Sequence, residues 1–159
     1  MNTTSNALRP TLRTRALQIA TAWFAAFMII GTLLVGFIFE TKEALTGAFE
    51  RTGLNAAEAA DAAGKFVIGY RAVALLFCAF YALGAYYALK RKTWAFWFVI
   101  IVFGLLGGIG TVMVPLRDTG LSTLGLVVST LTDGSGFVIG AILFWSYLKY
   151  RTPWAQRRA

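Results

Sequence analysis

Apolar residues along this chain fall into four long runs, separated by short stretches in which the charges collect. Ala16 to Phe39 contains no charged residue, Phe66 to Leu89 only Arg71, Thr93 to Leu116 none, and Thr119 to Leu148 only Asp133. A hydrocarbon core of about 30 Å is crossed by about 20 helical residues, so each run can supply one transmembrane helix. The pattern predicts an all-α fold: a single integral membrane four-helix bundle with left-handed packing and spans at about 16–39, 66–89, 93–115 and 120–149. The fourth run is longer than one crossing needs and is interrupted at Thr132-Asp133-Gly134-Ser135-Gly136. An alternative makes Leu121 to Leu131 a re-entrant or surface helix, with the span starting near Leu131. Unbroken helices are the economical solution in lipid, where no water satisfies an interrupted backbone. Arg9, Arg13 and Arg15 precede the first run as in a signal peptide. Its apolar region exceeds the usual ~7–15 residues and no small-residue cleavage site follows, which predicts a retained signal anchor.

Between the first two runs, residues 40–65 contain no proline and are rich in Ala, Glu and Leu, which are good helix formers. Asn55 and Glu58 have the spacing of a helix N-cap and its reciprocal partner, and Gly53 suits the end of the preceding helix. The expected arrangement extends span one to about Thr52 and starts span two near Asn55. This makes a helical hairpin on the outer side of the membrane; a flexible acidic loop is the alternative.

Composition supports the membrane reading. The chain has 159 residues, 58% of them hydrophobic and 14% charged, against about 25% charged in an ordinary soluble domain. The charges also sort by side. Arg9, Arg13, Arg15, Lys90, Arg91, Lys92, Lys149, Arg151, Arg157 and Arg158 lie on one side of the predicted spans, with no acid among them. All the acids, Glu40, Glu43, Glu50, Glu58, Asp61, Asp118 and Asp133, lie on the other side or in the adjoining span ends. Because short cytoplasmic loops collect Lys and Arg, both termini are expected in the cytoplasm of a bacterium, with the chain in its inner membrane. Tyr86, Tyr87, Trp94, Trp97, Trp145, Tyr147, Tyr150 and Trp154 fall near the same interface, as an aromatic belt would. The basic, aromatic tail, residues 149–159, is expected to attract anionic lipid headgroups. The net charge of +8 then has a topological origin, and no nucleic-acid partner is implied.

Little conventional chemistry is available. The chain has no histidine, which removes the usual haem ligand, the commonest zinc ligand and the commonest general base. Cys78 is the lone cysteine and reads as a packing residue. The glycines from Gly104 to Gly110 sit inside a span without a basic neighbour, unlike a phosphate-binding loop. No catalytic residue, metal site or cofactor is predicted.

What topology leaves unexplained is charge inside the spans. Arg71 and Asp133 fall at a similar depth when counted from the basic side, and a charge at that depth is costly unless it pairs, snorkels or lines water. An Arg71–Asp133 bond is expected, with Glu40 or Asp118 as competing acceptors. The four residues form either a polar site open to the outer face or a structural staple. Small residues mark close helix contacts in lipid: Gly104 and Gly108 on span three, a stripe on span four with Ser122, Gly125, Ser129, Asp133, Gly136 and Gly140, and a shorter one on span one with Thr32, Gly36 and Glu40. Such a stripe is an intramolecular seam or, alternatively, a homodimer face.

Four spans, an arginine early in span two and the run Val114-Pro115-Leu116-Arg117-Asp118 closing span three resemble small four-helix bacterial membrane proteins of the DoxX-like kind. The resemblance is one of architecture. It implies roles such as membrane subunits associated with quinone-linked oxidoreductases, and it assigns no catalytic residue. The expectation from sequence is a non-enzymatic accessory subunit of a membrane complex. A homo-oligomeric transporter or channel with a polar seam at Arg71 and Asp133 is the second reading, and a lipid- or quinone-handling enzyme the third.

Overall fold

The structure, a computed structural model, describes residues 8–9, 11–113 and 121–158. It is a bundle whose four longest helical stretches, Leu12–Phe39, Ala56–Leu89, Thr93–Met113 and Thr123–Tyr150, are each long and apolar enough to cross a membrane. The outside of the bundle is apolar: Ile68 is 73% exposed and Trp145 72% exposed, as suits a protein solvated by lipid tails. The chain is a multi-pass membrane protein.

Helix α1 (Leu12–Leu34) starts at Thr11, whose hydroxyl accepts from the Thr14 amide while Thr14 returns a bond to the Thr11 amide. It widens into a π-helical turn, Val35–Phe39, and stops at Glu40. Sequence reading extended this helix to about Thr52, but the chain breaks at Glu40-Thr41. Thr41 takes extended dihedrals and caps a separate helix, α2 (Lys42–Arg51), by accepting from the Ala44 amide. A threonine followed by Glu43 in the first turn is a helix start, and that local signal outweighs helix propensity across the junction. Gly53, at φ 97°, ends α2 in the left-handed region that glycine alone enters without strain.

Helix α3 (Ala56–Leu89) begins with the Asn55–Glu58 capping box. Its 34 residues span about 50 Å, which exceeds a bilayer core by about 20 Å. The α2 helix lies along its first turns, with Leu45 and Phe49 packed on Ala63 and Val67. Span three is composite: α4 (Thr93–Phe98), a π-helical stretch Val99–Leu105, and α5 (Leu106–Met113). Helix α6 (Thr123–Tyr150) runs unbroken through Asp133, Gly134 and Gly136, so the described residues contain no re-entrant break at Leu131.

Around the bundle, α3 packs on α1, α1 on α6, and α6 on the π stretch and α5. The core is filled at the end that carries both termini. Phe96, Phe103, Met28, Ile139, Leu143 and Trp154 are all fully buried there. Trp154 corrects the sequence reading, which placed it in an interfacial aromatic belt. Helix α6 ends at Arg151 in a left-handed conformation, φ 53°, and the chain doubles back so that the indole of Trp154 meets Phe96 edge-on at 5.2 Å and donates to the Lys92 carbonyl at 3.1 Å. Thr11 donates to the Ala155 carbonyl, and Leu8–Arg9 pairs with Arg157–Arg158 as a two-residue antiparallel ladder. Both termini therefore meet at one end of the bundle. Gln18, buried on α1, donates to the Ala88 and Leu89 carbonyls at 2.7 and 3.0 Å, satisfying acceptors that every helix C-terminus leaves open.

Candidate functional site

The core that is solid at the termini end opens toward the α2–α3 hairpin into a cavity of about 210 Å³ between α1, α3, α5 and α6. Helix α3 supplies one wall. Tyr70, Ala74, Phe77 and Tyr81 line it at spacings of four, three and four, one face of a 3.6-residue helix. The Tyr81 ring stands edge-on to Phe103 at 5.0 Å and 6.0 Å from the Phe77 ring. Helix α6 supplies the opposite wall with Ser129, Thr132 and Asp133, and α1 closes the gap with Thr32 and Val35.

Asp133 is the charged group in this lining. Its carboxylate makes no hydrogen bond or ion pair among the described residues, and it stands within electrostatic reach of the Tyr70 and Tyr81 phenols. Glycines hold it in place from behind. A β-carbon on Gly110 would collide with the Asp133 carboxylate, and one on Gly107 would lie 2.5 Å from its backbone carbonyl. Helix α5 thus approaches closely enough to fix the side chain toward the cavity. Thr132 donates its hydroxyl proton to the Val128 carbonyl, which leaves its oxygen only as an acceptor.

The expected Arg71–Asp133 bond does not form. Arg71 Nε donates to the Gly36 carbonyl at 3.2 Å, and the guanidinium lies over the Phe37 ring, 5.3 Å from its centroid. The reason is helical phase. Position 71 is about 100° around α3 from Tyr70, so when the 70-74-77-81 face looks into the cavity, Arg71 projects across the end of α1. There the π turn offers a carbonyl as a partner. Glu40 is buried, 6% exposed, at the α1–α2 junction, within electrostatic reach of Tyr70 but not in the cavity lining. Asp118 lies outside the described residues.

The small residues occupy several contacts rather than one stripe. Gly104 and Gly140 meet backbone to backbone: a β-carbon on Gly104 would lie 2.9 Å from the Gly140 Cα. Gly136 faces Met28 and the Phe103 carbonyl, Gly108 the Phe137 ring, and Gly125 Phe39; Ser129 faces the cavity. Sequence reasoning gave no site role to Tyr70, Phe77, Tyr81, Thr32 and Thr132. Two phenols on one face of an otherwise apolar span were the available signal, obscured because the same face also reads as ordinary aromatic packing. Comparison of the chain with protein-family models, with curated proteins and with solved structures returns no match.

Proposed function

We propose that this protein binds and carries a small cation, the proton included, at an intramembrane site centred on Asp133. One observation carries the reading: a carboxylate inside a lipid-spanning bundle that faces a cavity and has no counter-charge among the described residues. Ionisable groups at such depth are costly, and those that face a cavity mark ion and proton pathways. The glycine-rich α5 and the π-helical stretch before it supply a helix whose backbone geometry is irregular beside the site, a feature frequent at functional positions. Solid-supported membrane recordings on proteoliposomes test the proposal. Steps of H⁺, Na⁺ or an ammonium salt should displace charge in the wild type and not in Asp133→Asn. Arg71→Gln should retain the signal, because Arg71 bonds Gly36 and not Asp133. Silence toward every cation, or a full signal from Asp133→Asn, removes the reading.

The accessory-subunit reading draws on a different feature, a lipid-facing groove of about 660 Å³ between α1 and α6, with Trp23, Phe27, Leu131 and Val138 on its walls and Gly134 and Ser135 among its lining. Small residues in such a groove suit a helix of a partner membrane subunit or of a second copy. Charge displacement by this chain alone would set that reading aside. For localisation, the acid-free cationic set and the pairing of both chain ends favour N-in/C-in insertion in a bacterial inner membrane, with the α2–α3 hairpin outside and the tail against anionic headgroups. Cysteines introduced at Ala57 and at Lys149 should be, respectively, reactive and unreactive toward an impermeant maleimide in intact cells. The opposite pattern would invert the topology.

A further inference from the structure

Resting on the Asp133 reading, we infer that the ligand of the cavity is a small organic ammonium ion rather than an inorganic cation. The two walls are chemically different. The α6 wall offers the Asp133 carboxylate, with Ser129 and Thr132 also in the lining. The α3 wall offers Tyr70, Phe77 and Tyr81, whose π faces attract cations and whose bodies are apolar. Among the described residues no lysine or arginine lines the cavity, and Arg71 is held on Gly36 and Phe37. An anion would therefore find no counter-charge among them.

Size and donor count select among cations. A divalent metal ion is held largely by carboxylate oxygens at close range, whereas the described lining holds a single carboxylate beside neutral hydroxyls, and no group of three or more His, Cys, Asp or Glu that could hold a metal occurs among the described residues. A volume of about 210 Å³ suits a molecule of about eight non-hydrogen atoms, since a cavity of about 150 Å³ accepts benzene. An ammonium head on Asp133 with an apolar or aromatic body against Phe77 and Tyr81 satisfies both walls at once. It also supplies the counter-charge that Asp133 lacks among the described residues.

Benzylammonium, with its neutral isostere benzyl alcohol, is a suitable probe pair, measured by equilibrium dialysis against the full chain in nanodiscs with empty nanodiscs subtracted. Saturable binding of one benzylammonium per chain is expected, with benzyl alcohol weaker by roughly tenfold to a hundredfold, the worth of a charge-assisted hydrogen bond. Asp133→Asn should show the same loss. Phe77→Leu, which keeps the volume apolar but removes a π face, should weaken benzylammonium by about two- to fivefold and leave benzyl alcohol unchanged. Equal binding of the alcohol and the ammonium would show a merely apolar cavity and overturn the inference. So would the absence of saturable ammonium binding, or wild-type binding by a folded Asp133→Asn. If Asp133→Asn fails to fold, the wild-type probe pair and Phe77→Leu decide the matter. Charge displacement by H⁺ or Na⁺ that depends on Asp133, without benzylammonium binding, would refute the ammonium assignment while leaving the carrier reading intact.

Discussion

Trp154→Ala is expected to destabilise the protein by about 3–5 kcal/mol, the range for emptying a fully buried Phe or Trp site. The indole is 0% exposed, stacks edge-on against Phe96 and donates to the carbonyl of Lys92, in the turn that joins α3 to span three. Trp154 itself sits at φ 58°, a conformation unfavourable for a bulky residue. Burial of the ring must therefore offset backbone strain as well as hold the tail. Removing the ring leaves a cavity beneath Phe96 and releases the segment that bonds Thr11. Thermal unfolding in a mild detergent measures the effect, with Trp154→Phe as the comparison. Phe keeps most of the packing and loses the hydrogen bond, so it should cost about 1 kcal/mol. If Trp154→Ala melts like the wild type, the tail is not part of the core and the belt expected from sequence is restored.

Gly140→Ala is expected to cost about 1–3 kcal/mol or more, the range for overpacking a close contact. The new β-carbon would run into the Gly104 backbone, with the Gly104 nitrogen 3.0 Å away, and backbone cannot rotate aside as a side chain can. The π stretch and α6 would have to separate, and because Gly107 and Gly110 on the α5 helix that continues it seat Asp133, the cavity wall would move with them. A matched control exists on α3: a β-carbon on Gly69 meets nothing within 4 Å. Gly69→Ala should therefore be neutral or stabilising by about 0.5–1 kcal/mol, through helix propensity alone. Melting temperatures of the two alanine variants, measured side by side, check the pair. Equal behaviour would mean that the Gly104–Gly140 crossing does not set the helix spacing.

The parts of this fold that were legible in the sequence rest on local physics. Apolar run length located four helices because hydrocarbon thickness sets a minimum span. Asn55 with Glu58 located the start of α3 because a capping box needs only residues three apart. The break before α2 is equally local, set by the Thr41 cap, but the alanine- and glutamate-rich composition that follows favours a continuous helix and masks it. Charges within the spans stand out in the sequence as the residues needing explanation. Their partners do not, since depth along two helices says nothing about rotation around them, and rotation sends Arg71 to Gly36 while Asp133 faces a cavity. The glycines of α5 and α6 were visible as small residues, but which of them touches which depends on the crossing point of two helices far apart in sequence.

By itself, then, the sequence determined that this is a multi-pass membrane protein with four runs long and apolar enough to cross, which residues are charged within those runs, and where several helices begin. Each of these follows from hydrophobic run length, charge placement or capping within a turn or two. Only the tertiary structure decided that Trp154 is core, that Gln18 caps α3, that Arg71 and Asp133 do not meet, and that Tyr70, Phe77 and Tyr81 share a cavity with a carboxylate that has no partner among the described residues. Those outcomes depend on helix phase and crossing geometry, which in lipid are fixed by close packing between surfaces, because hydrophobic exclusion does not discriminate one apolar face from another there.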